Sequence, residues 1–288
     1  DEVPSRGLGD VYKRQIIYRV GVTSLKIEIR DTDPNTGKMF KVGDFIFDEF
    51  ADEKINEFAS EHSTSFRVAL AEGVSSWQVY KALSEIKFLS GKLENIPDEG
   101  TIAPASYDFV IGMTKEALIK KMQERQASIL NEAWNARQPN LPINTKQEAL
   151  ILASIIEKET SLKTERGKVS SVFVNRLLRE IALQTDASVV YGITRGKKVL
   201  GRGLRRSELK KDTPWNTYVN KGLPPSPIGN PGKASIHAAL NPDITNYLYF
   251  VADGSGGHAF AENLREHNIN VAKWRKIEKT DNLSLIHI

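Results

Sequence analysis

The chain has 288 residues, a formal charge of +4 and no cysteine. Its length allows one large or two small cores; the lack of cysteine excludes disulfides, cysteine nucleophiles and thiolate metal sites. The modest charge favours an anionic partner only weakly, and no stretch approaches the ~20 apolar residues of a membrane-spanning helix.

Residues 6–15 look like translated adapter sequence, as do 283–288, so 1–15 is set aside as a non-native leader and 279–288 as a non-native or disordered tail. Over 24–30, Leu25, Ile27 and Ile29 alternate with Lys26, Glu28 and Arg30, the period of a half-buried strand. Asp33-Pro34-Asn35-Thr36-Gly37 makes a turn. Further strands are expected at 44–47 and 66–70, and Ser75-Ser76-Trp77-Gln78 caps a helix to about residue 83. Residues 93–105 read as a connection and 107–111 as a short strand ended by Gly112. Thr114 opens a long helix to about 136, with Leu118, Met122, Ile129 and Ala133 as its inward stripe. Gln138-Pro139-Asn140-Leu141-Pro142 breaks it. The capping box Thr145-Lys146-Gln147-Glu148 opens a helix to Thr160, and another helix is expected over 166–180. Beyond Leu183 the chain reads as loop-rich, with short strands around 247–251 and a closing helix over 261–277. There is no internal repeat. The fold class is α+β.

The run Ile151-Leu152-Ala153-Ser154-Ile155-Ile156-Glu157-Lys158-Glu159-Thr160 ends an apolar helix on two carboxylates. A carboxyl beside aliphatic side chains is costly to ionise, and its pKa rises towards the range of a general acid. At roughly 100° per residue, Leu152, Ile155 and Ile156 share a side with Glu159, whereas Glu157 falls above Ala153 and Leu150. Glu159 faces the larger aliphatic surface and is the chosen acid. The alternative is two solvated last-turn glutamates.

Leu183-Gln184-Thr185-Asp186 offers amide, hydroxyl and carboxylate groups suited to sugar hydroxyls, or else an Asx turn built by Asp186. Asn216-Thr217-Tyr218, Gly222-Leu223-Pro224-Pro225 and Pro227-Ile228-Gly229-Asn230-Pro231-Gly232 form a polar, aromatic and proline-rich region: a rigid wall for a pyranose, or a long stiff connection. His258, after a glycine-rich turn, either orients a ligand or carboxylate or is structural. His62, His237 and His267 show no metal-ligand spacing, and no metal or cofactor is expected. Residues 195–211 hold eight Lys or Arg against one Glu, without interleaved aromatics, so nucleic acid is not the expected partner. A solvated loop, or a surface for an anionic wall polymer, fits better.

In order, the chain reads Ser154-Ile155-Ile156-Glu157-Lys158-Glu159-Thr160, Glu165-Arg166, Val172-Phe173-Val174-Asn175-Arg176-Leu177, Leu183-Gln184-Thr185-Asp186 and Val190-Tyr191-Gly192. Asn216-Thr217-Tyr218, Gly222-Leu223-Pro224-Pro225, Asn230-Pro231-Gly232, Leu248-Tyr249-Phe250-Val251-Ala252-Asp253, Gly256-Gly257-His258 and Glu266-His267-Asn268 follow. This series resembles the endolytic murein transglycosylase, or YceG-like, family from about Phe66 to Trp274.

The resemblance implies a lytic transglycosylase, a lyase that cuts the β-1,4 bond from N-acetylmuramic acid to N-acetylglucosamine inside peptidoglycan strands. It leaves 1,6-anhydro-muramic ends and terminates nascent strands during wall assembly. By motif the family's essential glutamate falls on Glu159, and Glu159-Thr160 resembles the Glu-Ser pair of lysozyme-like transglycosylases. Asn175, Gln184, Asp186, Tyr191, Asn216, Tyr218, Pro224, Asn230 and His258 are the implied substrate-binding residues. A truncated LysM-like α/β unit at 16–90 is expected to precede an α+β catalytic domain at 91–278 that carries the glutamate on a helix. An N-terminal single-pass anchor in the bacterial inner membrane, a catalytic domain in the periplasm, and peptidoglycan synthases of the elongation machinery as partners are also implied. Pro104-Ala105-Ser106-Tyr107 departs from the family by lacking an acidic residue after the proline, and the N-terminal unit reads as cut or scrambled before about Phe40. A non-catalytic peptidoglycan-binding or scaffold module is the alternative function.

Overall fold

The computed structural model describes residues 14–33, 36, 38–48, 53–56 and 64–280. Residues 1–13 and 281–288, His62, and Pro34, Asn35 and Gly37 of the expected turn lie outside them.

Five strands form one sheet: β1 (Arg14–Val20), β2 (Leu25–Thr32), β3 (Met39–Ile46), β4 (Thr64–Leu70) and β5 (Ser106–Phe109), in the order β3-β2-β1-β4-β5. Only β1 and β4 run parallel, with Ile16 opposite Phe66 and Tyr18 opposite Val68. The strand at 14–20 is absent from the sequence expectation, which had set aside its first two residues. It lies in the middle of the sheet, with Ile16, Ile17 and Tyr18 all buried, so both faces are covered and no alternation marks it. Arg14 and Gln15, set aside with the leader, are paired strand residues. Helix α1 (Ser76–Glu85), with its Ser75–Gln78 capping box, buries Val79, Ala82 and Leu83.

Helix α2 (Lys115–Asn135) starts at its Thr114 cap. Its Leu118, Ile119 and Met122 belong to the core under the sheet, while Leu130 and Ala133 belong to a second core. The two cores therefore meet along α2, and β5 still pairs with the first sheet. This differs from a division at 90/91.

The second core surrounds α3 (Lys146–Glu159), whose Thr145 hydroxyl accepts from the Glu148 N–H while Glu148 reaches back to the Thr145 N–H. Residues 149–156 are all buried, packed by α4 (Arg166–Leu178), α5 (Asp186–Thr194) and α7 (Lys233–Leu240). Where a loop-rich region was expected, α5, the short α6 (Arg206–Lys210) and α7 are helical, and the Leu183-Gln184-Thr185-Asp186 segment opens a helix. A hairpin of β6 (Tyr249–Ala252) and β7 (His258–Ala261) precedes α8 (Leu264–Thr280), so Ala261, the expected start of the closing helix, ends a strand. The fold is α+β, with α3 central in its helical part.

Gly100 shows how tightly the parts join. Its φ is +85°, and a Cβ there would stand 2.7 Å from Pro227 Cγ. Neither the left-handed backbone nor the proline ring yields easily, so Gly100→Ala is expected to cost about 1–3 kcal/mol, read as a lower midpoint in urea denaturation.

Candidate active site

The end of α3 presents its two glutamates to different surroundings. Glu157 is buried: its Oε2 accepts from the Gly232 N–H at 2.9 Å and its Oε1 faces Arg166 at 3.3 Å. Arg166 also meets Glu72 at 3.3 Å. The expectation of a solvated Glu157 is thus corrected: it is an internal anchor, saturated by a cation and a backbone donor.

Among the described residues, no Arg or Lys forms an ion pair with Glu159. Its carboxylate accepts a hydrogen bond from the Thr185 hydroxyl. Burial raises its pKa, opposed by the Thr185 bond; the negative charge of Asp186 raises it further and His258 lowers it. Thr185 is the N-cap residue of α5, yet its side chain does not cap that helix, unlike a typical N-cap threonine. Its backbone N–H donates to Thr217 Oγ1 at 3.0 Å, and its hydroxyl donates to Glu159. Beside it, Tyr218 donates its hydroxyl to Asp186 Oδ1 at 2.6 Å. Burial holds the Tyr218 phenol above its ordinary pKa, with the Asp186 bond and charge adding to the shift, so it stays a donor.

The hairpin brings in His258. Its Nδ1 lies 2.7 Å from Glu165 Oε2, and its N–H donates to Glu165 Oε1 at 3.0 Å. Glu165 thereby orients the ring from the start of α4.

The structure thus gathers Glu159, Asp186, Tyr218 and His258 at one place. Gln184 borders it, exposed and in a left-handed conformation (φ 55°), with Oε1 3.4 Å from an Arg176 nitrogen. Pro224 is buried. Three expected sugar-binding residues are tethers instead. Asn216 is fully buried and donates Nδ2 to the carbonyls of Leu209 and Lys211. Asn230, also fully buried, accepts from the Ile102 N–H and donates to the Val74 carbonyl. Asn175 donates to the carbonyls of Thr245 and Tyr247. Tyr191 is turned away from the sugar role as well: its hydroxyl donates to Glu99 at 3.0 Å. Buried amides that bind backbone look the same in sequence as exposed amides that bind sugars.

The Thr185 hydroxyl, expected to face a sugar, donates to Glu159 instead, and Glu165 and Glu99 have no role in the sequence reading. The Glu165-Arg166 pair was visible as a motif, but Glu99 sits in a connection with no periodicity to mark it. In the basic run, Arg195 stacks 3.5 Å over Trp215 and Arg202 pairs with Glu208 at 2.6 Å, while Lys197, Lys198, Arg206, Lys210 and Lys211 are exposed. Among the described residues, no group of three or more His, Cys, Asp or Glu could hold a metal ion.

A buried carboxyl whose protonated form is favoured, at the end of a buried helix with a hydroxyl donor and a Tyr–Asp pair beside it, is a candidate general-acid site on an α+β scaffold. The chain belongs to the YceG-like family, whose family model matches residues 10–273. It is 39% identical over 173 residues to an endolytic murein transglycosylase of Bacillus subtilis (strain 168), an alignment covering 60% of this chain and 46% of the relative. A protein of the same description from Streptococcus pneumoniae serotype 2 (strain D39) is 34% identical over 182 residues, covering 61% of this chain and 32% of that one. The matched segment is therefore less than half the length of either relative. A crystal structure of a YceG-like protein from Listeria monocytogenes aligns with a TM-score of 0.61 at 25% identity, covering 79% of this chain and 83% of that one.

Proposed function

We propose that this chain carries the catalytic part of an endolytic lytic transglycosylase acting on peptidoglycan, with Glu159 as its acid. The observation that carries this reading is the Glu159 carboxyl itself: burial favours its protonated form, and a single hydroxyl donor orients it. The protonated acid gives its proton to the glycosidic oxygen as the bond to muramoyl C1 breaks. The resulting carboxylate then takes the proton of the muramoyl C6 hydroxyl as that oxygen attacks C1, closing the 1,6-anhydro ring and restoring the acid. The Asp186–Tyr218 pair lies beside the acid, and in this reading Asp186 supplies negative charge against the positive charge that develops on the sugar. The relatives' shared description supports peptidoglycan as the substrate.

The proximity of Asp186 favours one second reading, a two-carboxylate hydrolase in which water attacks. Purified sacculi digested with the protein and resolved by mass spectrometry separate the cases. Anhydro-muropeptides support the transglycosylase; plain reducing ends would replace it with the hydrolase. Binding without released product would replace it with a glycan-binding module.

The pH profile follows from the same geometry. The acid must be protonated in the free enzyme, so the alkaline limb of kcat/KM reports Glu159 and lies above the ordinary carboxylate range. Removing the Thr185 hydroxyl removes a bond that favours the carboxylate, so Thr185→Val moves that limb to higher pH. Asp186→Asn removes a negative charge and moves it lower. Rate measurements across pH check both signs.

The proposal extends to termination of nascent strands, an anchor upstream of this segment at the membrane, action on the outer side of the inner membrane, a LysM-like character for the N-terminal sheet, and elongation synthases as partners. Among the described residues, no helix is long and apolar enough to cross a membrane.

A further inference from the structure

We infer that Glu99, which lies outside the acid site, is a positioning residue that holds α3 and α5 in the relation that brings Thr185 onto Glu159. This rests on the proposed function for its catalytic consequence but not for its structural one. The Glu99 carboxylate joins three parts of the chain by hydrogen bonds. Oε1 accepts from the Ser76 N–H at 2.8 Å, where α1 begins, and from Asn230 Nδ2 at 3.4 Å. Oε2 accepts from the Tyr191 hydroxyl on α5 at 3.0 Å. Its negative charge is felt by Lys158, the residue directly before Glu159, which also feels Glu157. The lysine stem is packed in place: a Cβ on Gly229 would sit 3.1 Å from Lys158 Cε and 2.8 Å from the Gly73 carbonyl oxygen. Backbone bonds close the same joint, from the Gly73 N–H to the Asn230 carbonyl at 2.9 Å and from the Asn230 N–H to the Val74 carbonyl at 2.8 Å.

Tyr191 belongs to the helix that Thr185 opens, and Lys158 belongs to the turn that ends in Glu159. The Glu99 carboxylate therefore bonds α5 directly through Tyr191 and reaches the end of α3 through Asn230, whose Gly73 joint packs against Lys158. Neutralising it leaves the Tyr191 hydroxyl with a weaker acceptor and Lys158 with one counter-charge fewer. The helix can then roll about its axis and withdraw the Thr185 hydroxyl. Because Glu99 does not touch the sugar site, the loss falls on kcat and not on KM. With its hydroxyl donor withdrawn, Glu159 also keeps its proton to higher pH.

The test compares Glu99→Gln, Tyr191→Phe and the double variant with wild type. Tyr191→Phe keeps the ring against Trp215 and so guards against simple unfolding. Each single substitution is expected to lower kcat by roughly 10–10²-fold, with KM within about twofold. The alkaline limb moves upward in each, and the double variant is no worse than the worse single. The same upward shift is read without substrate, by carbon NMR titration of the Glu159 carboxyl. Folded single variants with wild-type kcat and an unmoved Glu159 titration would overturn the inference, as would losses that multiply in the double. An inactive wild-type chain would count against the proposed function, and the titration would still decide the positioning role.

Discussion

Glu159→Gln is expected to reduce glycan cleavage by about 10³-fold or more while leaving the protein at least as stable as wild type at neutral pH. The loss is large because the same carboxyl gives the proton in the first half of the reaction and takes one in the second; an amide does neither. The stability effect follows from the raised pKa. In the unfolded chain a glutamate gives up its proton in the ordinary carboxylate range. In the folded protein the proton is held to higher pH, so the unfolded state binds fewer protons between those two values. Stability therefore falls as pH rises from the unfolded to the folded pKa, and the deficit stays constant above that window. The amide removes the deficit. Denaturation midpoints at acidic and neutral pH check the sign: the wild type declines across the window more than Glu159→Gln does.

Glu157→Ala is expected to behave in the opposite way, costing about 3–5 kcal/mol of stability with turnover that follows the folded fraction. Glu157 and Arg166 have side chains only 5% and 7% exposed, 3.3 Å apart. Removing the carboxylate leaves Arg166 with Glu72, which is 48% exposed and a weaker partner, and strips the Gly232 N–H of its acceptor. A buried charge pair replaced at both ends by apolar groups is often nearly neutral, so Glu157→Leu with Arg166→Met should recover much of the loss. Urea denaturation of the single and double variants measures this. A destabilisation under 1 kcal/mol in Glu157→Ala would show that the pair is not an anchor.

The two neighbouring glutamates also show what was legible in the sequence. The start of α3 could be read from Thr145 and Glu148 because a capping box is a local interaction, closed within four residues. The choice of Glu159 by helical phase assumed one aliphatic face, but residues 149–156 are buried on every side. What separates the glutamates is their partners, Arg166 and Gly232 for one and Thr185 for the other, and those meet only on folding. The same limit hid β1, buried on both faces, and the short helices α5 and α7, which are held by packing against α3. It also made Asn216 and Asn230 look like ligands for a sugar when they fasten loops to the frame. Asp186, Tyr218 and His258 were legible as a group through the ordered motifs, although no spacing within the chain foretold the Tyr218–Asp186 bond or the hold of Glu165 on His258.

The central claim is that one acid suffices because the attacking oxygen belongs to the substrate. Digestion of purified sacculi in heavy-oxygen water, followed by mass spectrometry of the new glycan ends, tests it most directly. The account predicts anhydro ends that carry no heavy oxygen, formed by the wild type and not by Glu159→Gln. Labelled reducing ends, or undiminished cleavage by Glu159→Gln, would contradict it.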